Sequence, residues 1–154
     1  MSETDKANVE NLLNEAIRQF LCFDSFLLKV DANERAISHR LAIYIERCFS
    51  GWHVDCEYNR NHDDPKRLKI KPRSIQSNDL EATTVFPDII VHKRGTDKNF
   101  IVIEMKKDSS SESDDNYDLD KLRAFKRELG YKFAIFMKIK TVRSCDVRLE
   151  NWIE

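Results

Sequence analysis

Glycine and proline are scarce, three of each in 154 residues, which argues against a loop-dominated fold. No run approaches the roughly 18 apolar residues needed to span a bilayer, and the N-terminus lacks the basic flank and apolar core of a secretory signal. A cytoplasmic protein with no membrane partner is therefore expected. The four cysteines, at positions 22, 48, 56 and 145, form no CxxC pair and point to free thiols in a reducing compartment. Cys56, His62 and Asp63 fall short of a zinc ligand set. There is no glycine-rich phosphate loop and no serine or cysteine in a recognisable nucleophilic setting. Helix-turn-helix, zinc-finger and aromatic RNA-binding patterns are also missing, so direct sequence readout of a nucleic acid has no visible means. No repeat of solenoid length is present.

Charge of one sign is lacking too. With 26 Lys and Arg against 27 Asp and Glu, the net charge is -1, which gives no global attraction to a polyanion. Nucleic-acid binding would need a local basic patch. What is present is a charged fraction of 34% beside a hydrophobic fraction of 41%, the composition of a globular protein with a densely ionic surface. The length suits one domain spanning 1–154.

From Thr4 to Leu21, Val9, Leu12, Leu13, Ala16, Ile17 and Phe20 recur at the spacing of one helix face. This N-terminal helical addition covers 1–30. After the apolar connector FDSFLLKV, the stretch DANERAISHRLAIYIERCFSG reads as a second helix, with Asp31 or Asn33 as N-cap and Gly51 just past its end. Glu34 heads its apolar stripe with Ser38, Leu41, Ile45 and Cys48. Taken alone, a first-turn glutamate is explained by the helix dipole. WHVDCEYN alternates as a strand, and residues 59–85 form a polar and basic insert. Phe86–Arg94 and Asn99–Lys107, separated by the glycine-led GTDK, read as a hairpin. The serine-rich acidic stretch DSSSESDDNYD has the signature of a solvated loop. Leu119, Leu122, Phe125 and Leu129 then mark a helix beginning near Asp118 or Asp120 and ending at Gly130. YKFAIFMKI reads as a buried strand, and Thr141 to Glu154 stays untyped. The order from Ala32 to Ile139 describes an α/β domain with helices on a mixed sheet.

Within that hairpin, FPDIIV and IVIEMKK carry Asp88, Glu104 and Lys106 inside segments able to line a core. Charged groups are seldom fully buried without partners, because leaving water costs several kcal/mol or more. Alternation puts Glu104 and Lys106 on one side of their strand with Phe100 and Val102, and puts Asp88 with Ile90 and His92. A hairpin closing around Thr96 sets Asp88 opposite Glu104, with Cβ atoms about 4.5 to 5.5 Å apart. Two carboxylates that close repel unless a cation lies between them. Magnesium, a hard ion that takes one or two carboxylates and keeps several waters, suits the arrangement. A lysine two residues on can orient or acidify a water and stabilise charge on a phosphate under attack.

Pro87-Asp88 followed by Glu104-Met105-Lys106 resembles the PD-(D/E)xK nuclease superfamily, whose restriction-endonuclease-like core has the element order αβββαβ. The resemblance covers 32–139 and leaves the N-terminal helix as an addition. It implies that Asp88 and Glu104 are metal ligands, that the Met105 carbonyl is a further one, and that Lys106 positions the water. Glu34 then matches the helical acidic residue that many members contribute to the metal site. Lys107, on the opposite face, is dispensable. The implied activity is hydrolysis of DNA or RNA phosphodiesters with magnesium, or manganese in its place, without a covalent intermediate. Many members act as homodimers or within larger complexes.

A nuclease must hold a polyanion. The insert supplies Lys66, Arg67, Lys69, Lys71 and Arg73, enough to neutralise several phosphates in a salt-dependent manner. Lys121 is a further candidate phosphate contact. Two other functions remain open at this level: a non-catalytic nuclease-fold module that binds nucleic acid or a protein, and an immunity or regulatory protein acting by contact.

Overall fold

The computed structural model describes residues 3–58, 67–68, 83–84 and 86–154. Among these residues four helices, α1 (Glu3–Asp24), α2 (Phe26–Lys29), α3 (Glu34–Cys48) and α4 (Glu112–Leu129), accompany seven strands. These are β1 (His53–Cys56), β2 (Arg67–Leu68), β3 (Thr83–Thr84), β4 (Ile89–His92), β5 (Asn99–Lys107), β6 (Phe133–Lys140) and β7 (Asp146–Trp152). Five strands form one mixed sheet in the order β1-β4-β5-β6-β7, and β2 pairs with β3 in a separate two-stranded sheet. All neighbours in the sheet are antiparallel except β5 and β6, which run parallel. That parallel pair is joined by α4, as a parallel connection requires a crossover.

The two sheet faces follow from strand alternation. Ile101, Ile103 and Met105 of β5, with Ile135, Met137 and Ile139 of β6, enter one buried cluster with Leu13, Phe20, Leu41 and Ile45 from α1 and α3. Ile90, Val102, Ala134 and Phe136 enter a second with Leu122, Ala124 and Phe125 of α4. The result is an α/β arrangement in which helices flank a five-stranded mixed sheet on both faces. Among the described residues no helix is long and apolar enough to cross a membrane.

Of the two N-cap candidates for α3, Asn33 takes the role, its side chain accepting a hydrogen bond from Ala36 N at 2.8 Å. Asp31 instead has left-handed backbone, φ 54°, and pairs with Lys107. One expectation about these elements needs correction. The acidic stretch after β5 is not a loop through Asp118: Ser111 caps α4 by accepting from Asp114 N at 3.1 Å, and Glu112, Asp114 and Asp115 fill its first turn. Composition suggested solvation, yet acids in a first turn complement the helix dipole and belong there. The sheet also continues past 139, because Asp146–Trp152 adds a fifth strand along β6. With only Val147 of that strand fully buried, an edge strand of this kind carries little apolar pattern.

Candidate active site

β4 and β5 bring the first two carboxylates together. The pairing Ile89 with Ile103 and Ile90 with Val102 continues by one residue to set Asp88 opposite Glu104, the register that closure around Thr96 predicts. Asp88 Oδ2 accepts from Met105 N at 2.8 Å, which fixes its carboxyl across the ladder, close enough for its charge to act on Glu104. Further along, the register shifts: Val91 faces Ile101 but His92 faces Asn99. Phe100 is the extra residue of this bulge. It therefore leaves the Val102 side and packs among Phe49, Trp52 and Phe133, a correction with a local cause, since bulges re-aim side chains.

Glu104 is 1% exposed, on the α4 side of the sheet. Lys106 lies beyond it on the same side, with its ammonium 3.6 Å from Asp118 Oδ2 and 4.0 Å from Glu34 Oε1. Glu34 reaches the site because α3 starts beside the end of β5; its Oε2 accepts from Lys107 N at 3.2 Å. The fourth acidic residue, Asp118, comes from the second turn of α4, and one turn later Lys121 places its ammonium 3.0 Å from Glu104 Oε1 and 2.8 Å from the Phe86 carbonyl. Glu34, Asp88, Glu104, Met105, Lys106, Tyr117, Asp118 and Lys121 line one cavity of about 260 Å³.

Four carboxylates and two ammonium groups in that space leave a negative balance. Burial, and then the charge of Asp88, push the Glu104 carboxyl well above the usual carboxylate range, while Lys121 pulls it back. Burial opposes the charge on Lys121, but Glu104, with Asp88 and Asp118, outweighs it and holds the ammonium above its ordinary value. The two directions conflict, since a protonated Glu104 would hold Lys121 less firmly. The 3.0 Å contact favours the ionised pair, with the upward pressure on Glu104 measuring the burial that Lys121 offsets only in part. Glu104 Oε1 is buried and makes no aligned hydrogen bond among the described residues.

That oxygen, beside a second carboxylate and next to water-accessible space, fits a hard divalent cation by the chemistry of its donors. Asp88 and Glu104 are the paired ligands such an ion would find, with Glu34 at the rim. Among the described residues, no three carboxylate, imidazole or thiolate groups already converge at ligating distance.

Comparison with protein-family models, with curated proteins and with solved structures finds no match for this chain. Its chemistry must be read from its own side chains. Asp88, Glu104, Lys106 and Glu34 line one cavity. Lys121 joins them, as an ion-pair partner inside the site. Lys107 turns to the other face and pairs with Asp31 at 2.9 Å. His92 does not line the cavity; it lies 2.6 Å from Asp55, which also binds Arg94. Lys66, Lys69, Lys71 and Arg73 lie outside the described residues. Arg67 belongs to β2, whose backbone lies against α4. Sequence reasoning missed Asp118 and Tyr117, and for Asp118 the signal was available: Asp118, Leu122 and Phe125 follow the i, i+4, i+7 rule once α4 begins at Glu112, capped by Ser111.

Proposed function

We propose that this protein is a metal-dependent nuclease of the PD-(D/E)xK type, with the restriction-endonuclease-like core, hydrolysing the phosphodiester bonds of DNA or RNA. One observation carries the proposal. Two carboxylates from adjacent strands meet at the foot of a cavity whose walls bring in a lysine two residues along the same strand and a glutamate from a separate helix. A binding module has no physical need to gather such charges at a buried sheet end.

Asp88, Glu104 and Glu34 would hold magnesium, or manganese in its place. When bound, the ion supplies a Lewis acid that polarises the phosphoryl group and favours ionisation of a water. The residues of the chain then have separate tasks. Met105 N holds Asp88 in position. Lys106, kept between Asp118 and Glu34, is placed to orient the attacking water and to stabilise negative charge on the phosphate. Water attacks phosphorus, the phosphorus–oxygen bond to the leaving sugar breaks, and a proton passes to that oxygen, with no covalent enzyme intermediate.

A second reading, a nuclease-fold module that binds without cutting, draws on the internal pairing of the site: Lys121 faces Glu104, and Lys106 lies near Asp118 and Glu34. The two readings part on a direct assay. Purified protein is incubated with single- and double-stranded DNA and RNA, with magnesium or manganese, alongside Asp88→Ala and Lys106→Ala. The nuclease reading expects metal-dependent cutting that disappears in both variants. Absence of cutting by the folded wild type on every substrate, with retained binding, would transfer the site to the binding module.

A further inference from the structure

Lys121 occupies an unusual place for a lysine that would only meet a phosphate. Its side chain is 12% exposed, and it spends its ammonium on two groups inside the protein, the Glu104 carboxylate and the Phe86 carbonyl. Lys106, by contrast, stands at 3.6 and 4.0 Å from its nearest carboxylates and does not touch Glu104 among the ion pairs of the described residues. The oxygen that Lys121 contacts is the same buried Oε1 that fits a hard cation. An ammonium at 3.0 Å and a divalent ion on that oxygen repel each other, because both are positive and the site is poorly screened.

We infer that Lys121 is a resident counter-cation, which stabilises buried Glu104 when no metal is bound and competes with the metal for that carboxylate. This rests on the nuclease reading of the site and adds to it a control on metal occupancy. Its stem of four flexible carbons lets the ammonium leave Glu104 without movement of α4, and a cavity of about 260 Å³ gives it room. Metal affinity is therefore set low by the protein's own cation. The site can be intact and still take up metal only at raised concentration, or when a polyanion draws the ammonium away.

The test is a manganese titration of the full chain without nucleic acid, followed by the electron paramagnetic resonance signal of free Mn2+, for wild type, Lys121→Met and Lys121→Arg. Lys121→Met is expected to bind Mn2+ about tenfold or more tightly than wild type, while Lys121→Arg, which keeps the charge, stays close to wild type. Lys121→Met should also melt lower than wild type in chelator and gain more on adding Mn2+, a pattern that lost packing alone would not produce. Lys121→Gln serves as the second neutral variant should the methionine protein fail to fold. If wild type binds Mn2+ and the folded neutral variants bind it no more tightly, Lys121 does not compete and the inference is overturned while the nuclease reading stands. If neither wild type nor the neutral variants bind Mn2+, the metal site itself is wrong and both readings are overturned.

Discussion

The Glu104–Lys121 pair lends itself to a double-mutant cycle in the metal-free protein. The two groups are 3.0 Å apart, with side chains 2% and 12% exposed. At an effective dielectric constant of 20, unit charges at that distance attract by roughly 5.5 kcal/mol. Taking both out of water costs a comparable amount, so the pair as a whole is worth little. Removing one partner is different, because the other is left buried and uncompensated. Glu104→Gln is expected to lose about 3 kcal/mol of stability, at the low end of the usual cost because Asp88 and the Phe86 carbonyl remain beside Lys121, and Lys121→Met about 4 kcal/mol, because buried Glu104 is then left against the like charge of Asp88. The double variant, which buries two neutral side chains of similar shape, should return to within about 1 kcal/mol of wild type. Urea unfolding at pH 7 in chelator measures all four proteins. If the single losses simply add in the double variant, within about 0.5 kcal/mol, the two groups do not compensate each other and the electrostatic description of the site is wrong.

Two further outcomes follow from α4. Ser111→Ala removes the side-chain acceptor for Asp114 N and should cost about 1 kcal/mol; an unchanged urea midpoint would show that the cap carries nothing. Asp115 pairs with Lys138 at 2.5 Å, and although burial works against it, the Lys138 ammonium and the Ser110 hydroxyl hold its carboxyl below the usual range. A depressed folded value means that its stabilisation is present above the unfolded value of about 3.9 and is lost as pH falls through the lower folded value. The stability deficit of Asp115→Asn should therefore be constant from pH 8 to 5 and shrink only below about pH 4. A deficit already gone at pH 5 would reverse the assigned direction.

Much of the architecture was legible because its signals are local. The apolar spacing of α1 and α3, the hairpin of β4 and β5, and the Gly130 left-handed cap of α4 each lie within a few residues of one another. The same holds for the shared face of Glu104 and Lys106, and for Asp88 opposite Glu104, since both depend only on strand alternation and a hairpin register. Phe100 escaped that logic because one bulged residue reverses the alternation. The start of α4 was hidden because a run of serines and acids is equally suited to a solvated loop and to a capped first turn. β7 was hidden because an edge strand of mixed polarity has a weak pattern and is defined by pairing with β6.

By itself, then, the sequence determined most of the helices and strands, the first turns of α4 and the edge strand β7 excepted, and that two carboxylates and a lysine share one end of a hairpin. Only the tertiary structure decided what surrounds them. Glu34 arrives from the start of α3, and Asp118 and Lys121 from a helix that crosses over the sheet between β5 and β6. Which charge meets which across such distances depends on how the layers stack and where flexible side chains end, and no periodicity along the chain records that. The choice of Lys121 as the partner of Glu104 belongs to this second kind of information, and the proposed competition with a cation rests on it.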